Sequence, residues 1–508
     1  MTRCDPAQYS ASRLDFVHNT RSHAPVPWWV QVLDLLTLVL AIAGIGLMVW
    51  KGPRFALGPW VVSIRSPWRP LISAAGLGAL RHLLFLRPSL PERLWAQPVR
   101  LFRAVSRWRP PSPGALWAGV VAAVRSPDLR AVIVPFLASR GAVLLVGALA
   151  VATLGYPPDR PRPRLADNAF LNLMAKWDAE WYLDIARDGY QWDDNLRHQM
   201  RLAFLPAFPM ASRAAGWLVG SVPLGAALVT FAAFLGALVY LFRLARDMIG
   251  EPEAQAAVLF LAFSPFAVFY SSMYTESLFL LATVGAFYHF RRSEWLWASI
   301  WGMLVGLTRP NGSLLSGALA IVMLETWVRA RRTGEPHAAI WARVRAGALA
   351  ATMPLAGTGL YSLYVWALTG DPLTWLRLHA YWGRGDASVA DLAVSHYQWI
   401  QRMGVMGYAR ALPIDFINTC ATLLAIAAVW PVTRRLGPAC GFFVGANVVV
   451  GLLSGTTLSL ARLTSTLFPL FLWLGLVIPL RQRPSWVAAF ALLQGFIAAL
   501  FFTWRRFY

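Results

Sequence analysis

Apolar stretches of bilayer-crossing length follow one another along nearly the whole chain, separated by polar breaks that carry arginine. Runs near 29–50, 69–86, 131–154, 217–242, 254–272, 276–291 and 295–308 each read as a membrane-spanning helix, and so do 312–329, 346–368, 414–431, 437–456, 464–480 and 486–503. The pattern therefore predicts an all-α polytopic membrane protein with about 13 transmembrane helices. The segments near 276, 295 and 437 are short or interrupted, which predicts tilted or broken helices. The polar interval 155–216 holds an amphipathic helix of its own. At about 100° per residue, Glu180, Asp184, Arg187 and Asp188 share one arc, while Trp181, Tyr182, Ile185 and Ala186 occupy the other. Gly189 closes that helix as a C-cap. Asp178 stands apart from the charged arc, projecting between Tyr182 and Ile185 on the apolar face. In a soluble protein an acid there caps the helix; beside a membrane a carboxylate on an apolar face marks a place for chemistry.

Composition agrees with the membrane reading and removes a rival. The chain is 57% hydrophobic with mean hydropathy +0.51. Its formal charge of +22 is almost entirely arginine, Lys51 and Lys176 being the only lysines. Arginines between apolar runs are positive-inside loops, so the charge calls for no nucleic acid. Cys4, Cys420 and Cys440 imply no disulfide framework. The first 25 residues are polar and lack a signal-peptide core, so the first spanning helix is expected to direct its own insertion. Residues 1–130 read as an appended two-helix module with a basic cytoplasmic linker and a strand-like piece at 60–64, and 131–508 as the membrane core.

Loop charge sets the orientation. The stretch 87–130 carries eight arginines against Glu92 and Asp128, and 329–345 carries five against Glu335, which places both in the cytoplasm. Alternation puts Arg505 and Arg506 outside, where they would snorkel or meet a lipid phosphate. The loop 155–216, with eight of the chain's 24 acidic residues, also falls outside. On that face lie Tyr274-Thr275-Glu276-Ser277, Thr308-Arg309-Pro310-Asn311-Gly312, Tyr381-Trp382-Gly383-Arg384 and Arg462. Taken singly, Glu276 equally starts a helix against its dipole, and Arg309 and Arg462 equally anchor helix ends. Ionisable groups near helix ends are costly unless they face a cavity or a headgroup, so their joint placement predicts a polar site at one interface.

Several of these residues carry a family resemblance. Trp177-Asp178, Ile185-Ala186 with Gly189-Tyr190, Ala203-Phe204 with Pro206 and Pro209, Ser264-Pro265, Tyr274-Thr275-Glu276-Ser277-Leu278-Phe279 and Thr308-Arg309-Pro310-Asn311-Gly312 resemble the PIG-V-like (GPI mannosyltransferase II) family of GT-C glycosyltransferases, in order and spacing. Gly370-Asp371-Pro372, Trp382-Gly383-Arg384 and Arg462 before Phe468-Pro469 resemble later motifs of its bacterial members. The resemblance implies a GT-C-like fold that takes a mannose or similar hexose from a polyprenyl-phosphate donor on the extracytoplasmic side. Eukaryotic members have a histidine where this chain has Trp181. Arginine dominance over lysine fits a GC-rich bacterial genome, a plasma-membrane location and an envelope lipid, glycan or protein as acceptor.

Transfer from a lipid phosphate needs a base for the acceptor hydroxyl and cations for the departing phosphate. Asp178 is the expected base, Glu276 the second catalytic acid, orienting sugar or acceptor, and Arg309, Arg384 and Arg462 the phosphate ligands. Trp177, Asn311 and Trp382 complete the expected substrate contacts. No nucleotide-binding glycine loop or Cys/His metal spacing is present, so no cofactor is expected beyond the room that carboxylates leave for a divalent cation. A transporter or flippase of a lipid-linked sugar would also gather charge at one leaflet. Such proteins tend to show inverted repeats and midplane sites, and no internal repeat is visible here.

Overall fold

A computed structural model describes residues 126–158, 164–192, 200–382 and 388–505, together with 54–57, 60–63, 68–84 and scattered positions between 30 and 41. The chain divides into two compact units, 1–118 and 119–508. In the first, the strand Trp60–Ser63 pairs antiparallel with Arg54–Leu57, a partner the pattern did not announce. The helix Trp68–Leu84 follows, and its buried Arg81 donates from Nε to Asp34 Oδ1 at 2.7 Å.

The second unit is helical. Five of its helices are long and apolar enough to cross a membrane: Pro127–Leu154, Val222–Ile249, Pro310–Arg332, Pro413–Leu436 and Leu480–Phe502. Thirteen full-length spans are not found among the described residues, because several expected ones are shorter apolar helices such as Trp295–Thr308, Pro438–Leu452 and Phe468–Val477. The architecture is that of a multi-pass membrane protein with broken helices. Helix starts follow local chemistry: Ser126 Oγ accepts from Leu129 N, Ser221 Oγ accepts from Leu224 N, and proline occupies the first turn of both helices.

The expected span 254–272 breaks at Ala262. The chain leaves the helix Glu251–Ala262, passes Ser264-Pro265 and re-forms a short 3-10 turn, Ala267–Ser271. Such a break strands carbonyl oxygens in an apolar interior, where each must find a donor. Buried Arg140, from the middle of Pro127–Leu154, donates to the Ala262 carbonyl at 2.8 Å, to the Ala267 carbonyl and to Ser271 Oγ at 2.9 Å. Gln494 adds donations to the Ala262 and Ser264 carbonyls, each at 3.0 Å. A distant arginine and glutamine thus permit a break that the hydrophobic pattern alone does not forecast. Arg505, expected to snorkel or meet a lipid phosphate, instead donates to the Gly155 carbonyl at 3.2 Å and closes the end of Pro127–Leu154.

Ion pairs define two ends of the bundle. Asp128, at the start of Pro127–Leu154, sits between Arg243 at 2.7 Å and Arg246 at 2.8 Å near the end of Val222–Ile249. Arg292, just after Glu276–Arg291, lies 3.6 Å from Asp247 at the same end. Glu276 begins that 16-residue helix and therefore stands at the other end, about 24 Å away by the α-helical rise. Arg309, one residue past Trp295–Thr308, joins it there.

The helix carrying Arg309 is fixed by glycines. A Cβ on Gly306 would lie 1.9 Å from the Pro354 carbonyl oxygen, and one on Gly357 would lie 2.3 Å from the Met303 carbonyl oxygen. The helices Trp295–Thr308 and His337–Thr369 thus meet backbone to backbone. Gly306→Ala and Gly357→Ala should each destabilise the protein by about 1–3 kcal/mol through overpacking. Gly359→Ala, with nothing within 4 Å, should be tolerated. Thermal melts of lipid-embedded protein check this, and equal melting of all three variants would count against the close approach.

Candidate active site

Four side chains from four distant segments form one connected row. Arg462, in the short helix Leu460–Thr464, donates from Nη1 to Asp178 Oδ2 at 2.7 Å and from Nε to Glu276 Oε1. Arg309 donates from Nη1 to the same Glu276 oxygen. The row reads Asp178, Arg462, Glu276, Arg309, and its formal charges cancel. Its middle is sealed: the Glu276 side chain is 0% exposed and that of Arg462 6%. Its ends are open, with Asp178 at 21% and Arg309 at 17%. Two charged groups buried in this way hold together because each faces an opposite charge with direct hydrogen bonds.

Aromatic rings wall the sealed part. The Arg462 guanidinium lies 4.5 Å from the centre of the Tyr274 ring and 4.9 Å from that of Phe269, and Arg309 lies 5.7 Å from Phe279. Tyr274 also fixes the first acid, its hydroxyl oxygen accepting from the Asp178 backbone N–H at 2.9 Å. Tyr182 adds its buried hydroxyl 3.5 Å from Thr275 Oγ1, and burial pushes that phenol up to about 12. Glu276 Oε2 is buried and accepts no hydrogen bond among the described residues, so half of the central carboxylate keeps unused acceptor capacity.

Asp178 does not sit within the helical arc expected of it. It is the residue just before the helix Ala179–Asp188, its side chain makes no capping bond, and it turns to Arg462 instead. The preceding Trp177 has φ of 53°, a left-handed conformation that costs a bulky residue on the order of 1–3 kcal/mol. Its indole N–H donates to the Phe501 carbonyl at 3.1 Å and its ring centre lies 4.8 Å from that of Trp504. These contacts hold the strained turn that aims Asp178. The rest of the helix follows the pattern: Tyr182, Leu183, Ile185 and Ala186 are buried, while Asp184 and Asp188 face Arg201 at 3.0 and 3.6 Å.

The other expected residues divide. Trp177 and Asn311, read as substrate contacts, are engaged within the protein. Asn311 Nδ2 donates to Asn447 Oδ1 at 2.7 Å, bracing the turn next to Arg309. Arg309 and Arg462, read as phosphate ligands, are bound to carboxylates. Trp382 ends the 3-10 turn Leu378–Trp382, but its side chain and all of Arg384 lie outside the described residues. Among the described residues no three His, Cys, Asp or Glu side chains come together to hold a metal ion, and Arg462 lies between Asp178 and Glu276. Sequence reasoning named Tyr274 only as part of a motif, and it missed Lys176. That lysine is buried, its Nζ donating to Tyr156 Oη at 3.2 Å and lying 5.9 Å from the Trp504 ring centre, and burial lowers it to about 8.

Residues 162–339 match a family model described as Mannosyltransferase (PIG-V). The chain is similar to GPI alpha-1,6-mannosyltransferase 2 of Cricetulus griseus, 31% identical over an alignment of 179 residues that covers 31% of this chain and 34% of that protein. The same enzyme of Homo sapiens is 30% identical over 179 residues, again 31% of this chain and 34% of its own length. The chain thus spans about a third of these relatives, and the family-model match over 162–339 holds Asp178, Glu276 and Arg309 but not Arg462. A crystal structure of the Archaeoglobus fulgidus oligosaccharyltransferase complexed with Zn and sulfate overlaps 71% of this chain and 53% of its own at a TM-score of 0.33 and 13% identity, too distant to carry an argument.

Two outcomes follow from the burial. Glu276→Gln should destabilise the protein by about 3–5 kcal/mol, since it leaves Arg462 buried beside a neutral amide. Arg309→Ala, at the open end, should cost less, since Arg462 still faces Glu276; melting curves that rank the two in the opposite order overturn the sealed-centre reading. Lys176 supplies a pH test. Below about pH 8 folded and unfolded chains both carry its charge, and above it the folded chain sheds the proton while the unfolded one keeps it up to the ordinary value of 10.5. Stability should therefore rise between those values relative to Lys176→Met. Parallel pH profiles of the two proteins would refute it.

Proposed function

We propose that this chain, which is PIG-V-like over residues 162–339, is a membrane glycosyltransferase moving a mannose or similar hexose from a polyprenyl-phosphate donor to an acceptor hydroxyl. The working face is the extracytoplasmic side of a bacterial plasma membrane, a placement supported by the arginine bias of the opposite loops. The observation that carries the reading is the neutral row Asp178, Arg462, Glu276, Arg309, closed in the middle and open at an acid on one side and a guanidinium on the other. Group transfer from a phosphate needs those two functions, a base and a cation.

In this reading Arg462 holds Asp178 Oδ2 and leaves Oδ1 to take the acceptor's proton. The acceptor oxygen attacks the anomeric carbon, the bond from that carbon to the phosphate oxygen breaks, and the electron pair departs with the polyprenyl phosphate. Arg309 spends one nitrogen on Glu276 and keeps the rest of its planar fork for the phosphate oxygens. Arg384 and Trp382 make further donor contacts, Arg384 as a second phosphate ligand. Glu276 orients rather than transfers protons: both guanidiniums rest on its Oε1, so it sets the spacing between the base and the phosphate cation. Positive charge at the site comes from Arg309 and Arg462, with Arg384 as the third proposed cation.

The test is transfer of label from polyprenyl-phosphate-mannose to a host lipid extract, catalysed by the purified protein in lipid. Asp178→Asn should lower the rate on the order of 10² to 10⁴ while donor binding persists, because the amide keeps the shape and removes the base. Glu180→Gln and Asp184→Asn, on the charged arc of the same helix, should cost far less. Arg309→Ala should weaken donor use, with Arg309→Lys restoring only part of it. Full activity of Asp178→Asn would remove the base assignment, and a parent protein that never uses the donor would remove the function.

A further inference from the structure

A second polar cluster lies next to the row and has no part in the reaction described so far. A cavity of about 230 Å³ opens between the start of the helix Pro413–Leu436 and the loop before Leu460–Thr464, lined by Leu412, Pro413, Asp415, Asn418, Thr456 and Thr457 among others. Asp415 is the one charged side chain that lines it among the described residues. Its Oδ1 accepts from Thr457 Oγ1 at 2.5 Å and its Oδ2 from Tyr408 Oη at 2.7 Å. A carboxylate offers about four acceptor positions, so about two remain. His396 Nε2 lies 3.1 Å from the same Oδ2 without the alignment of a hydrogen bond, while its Nδ1 donates to the Leu392 carbonyl at 2.6 Å. This carboxylate is therefore held in place from several sides and still has acceptor capacity to spare.

The cavity is wired to the row. Asn418, which lines it, accepts at Oδ1 from the Ala461 backbone N–H at 2.9 Å, and the next residue is Arg462. Asn418 thus braces the backbone one residue before the arginine that holds Asp178.

We infer that this cavity is the acceptor subsite, and that it takes a neutral, hydroxyl-rich ring such as a single glycosyl or polyol headgroup. The inference rests on the glycosyltransferase reading above. Charge argues for the class of ligand. A lone carboxylate with two threonine hydroxyls and no lining cation suits hydroxyl donors and repels phosphate, whereas the open guanidinium of Arg309 does the reverse. The two ends of the machinery thereby sort neutral acceptor from anionic donor. Size agrees, since the volume is that of about eight waters, the scale of one sugar ring rather than of an oligosaccharide. Leu412 and Pro413 provide apolar surface for a ring face.

The experiment uses the full chain in lipid nanodiscs and n-octyl mannoside as a probe, with binding measured in the absence of donor. The parent should bind the probe saturably and bind the anionic octyl glucuronide at least tenfold more weakly. Asp415→Asn should weaken probe binding roughly ten- to a hundredfold, the loss expected for hydrogen bonds to a charged group. Leu458→Trp leaves the Asp415 hydrogen bonds intact and fills the cavity, and it should weaken binding as much without lowering the melting temperature. In transfer assays with octyl mannoside as acceptor, both variants should raise the acceptor KM while leaving the donor KM unchanged. Probe binding that both variants retain, no saturable binding by the parent, or equal binding of the glucuronide each overturns the subsite. If the probe binds as described but no label is ever transferred, the glycosyltransferase reading falls and takes the acceptor role with it, leaving the cavity a binding site for a neutral, hydroxyl-rich ring.

Discussion

The Arg462 guanidinium touching both Asp178 and Glu276 is the contact on which the rest of the site depends. Placed where water is scarce, any of the three groups would be a liability alone. Together with Arg309 they form a row whose formal charges cancel, so the interface accommodates four ionic side chains without a net buried charge. The row also has a geometric effect. Residues 178, 276, 309 and 462 come from segments separated by apolar helices, and a planar fork with fixed donor angles allows little freedom in how those segments meet. Tyr274 extends the same control to the backbone by accepting from the Asp178 N–H while its ring faces Arg462.

A second constraint supports this from within the bundle. Breaking a helix at Ala262 lets the chain pass through Ala267–Ser271 and arrive at Tyr274 and Glu276 in the right place, but the break is stable only because Arg140 and Gln494 satisfy the stranded carbonyls. Here an arginine serves architecture, whereas at Arg309 and Arg462 the same residue type serves the site. The difference lies in the partner: backbone carbonyls in one case, carboxylates in the other.

Much of this was legible in the sequence, and the boundary of legibility is physical. The helices Glu276–Arg291 and Trp295–Thr308 fall where the pattern put them, since Pro310 and the polar residues at their ends mark them locally. The gathering of Asp178, Glu276, Arg309 and Arg462 was foreseen from loop placement. Their pairing was not, because a spacing pattern does not say which cation meets which acid. The span expected at 254–272 failed since its break relies on side chains more than 120 residues away in sequence. The helical stretch Val389–Ala411, broken at Gly404, was passed over because its many polar residues kept it below spanning hydropathy, and with it went His396 and Tyr408. Trp177 and Asn311 were assigned to substrate because their partners Phe501, Trp504 and Asn447 come from other parts of the chain.

The glycine contact between Trp295–Thr308 and His337–Thr369 has a bearing on motion. Where two helices touch through a layer of side chains, rotamer changes allow them to slide past each other by an ångström or two; where backbone meets backbone there is no such layer. Gly306 against the Pro354 carbonyl and Gly357 against the Met303 carbonyl lock the pair in register. The two helices therefore move as one plank, so rearrangement in this part of the bundle has to hinge outside it, and the backbone of Arg309, one residue past its end, moves with it.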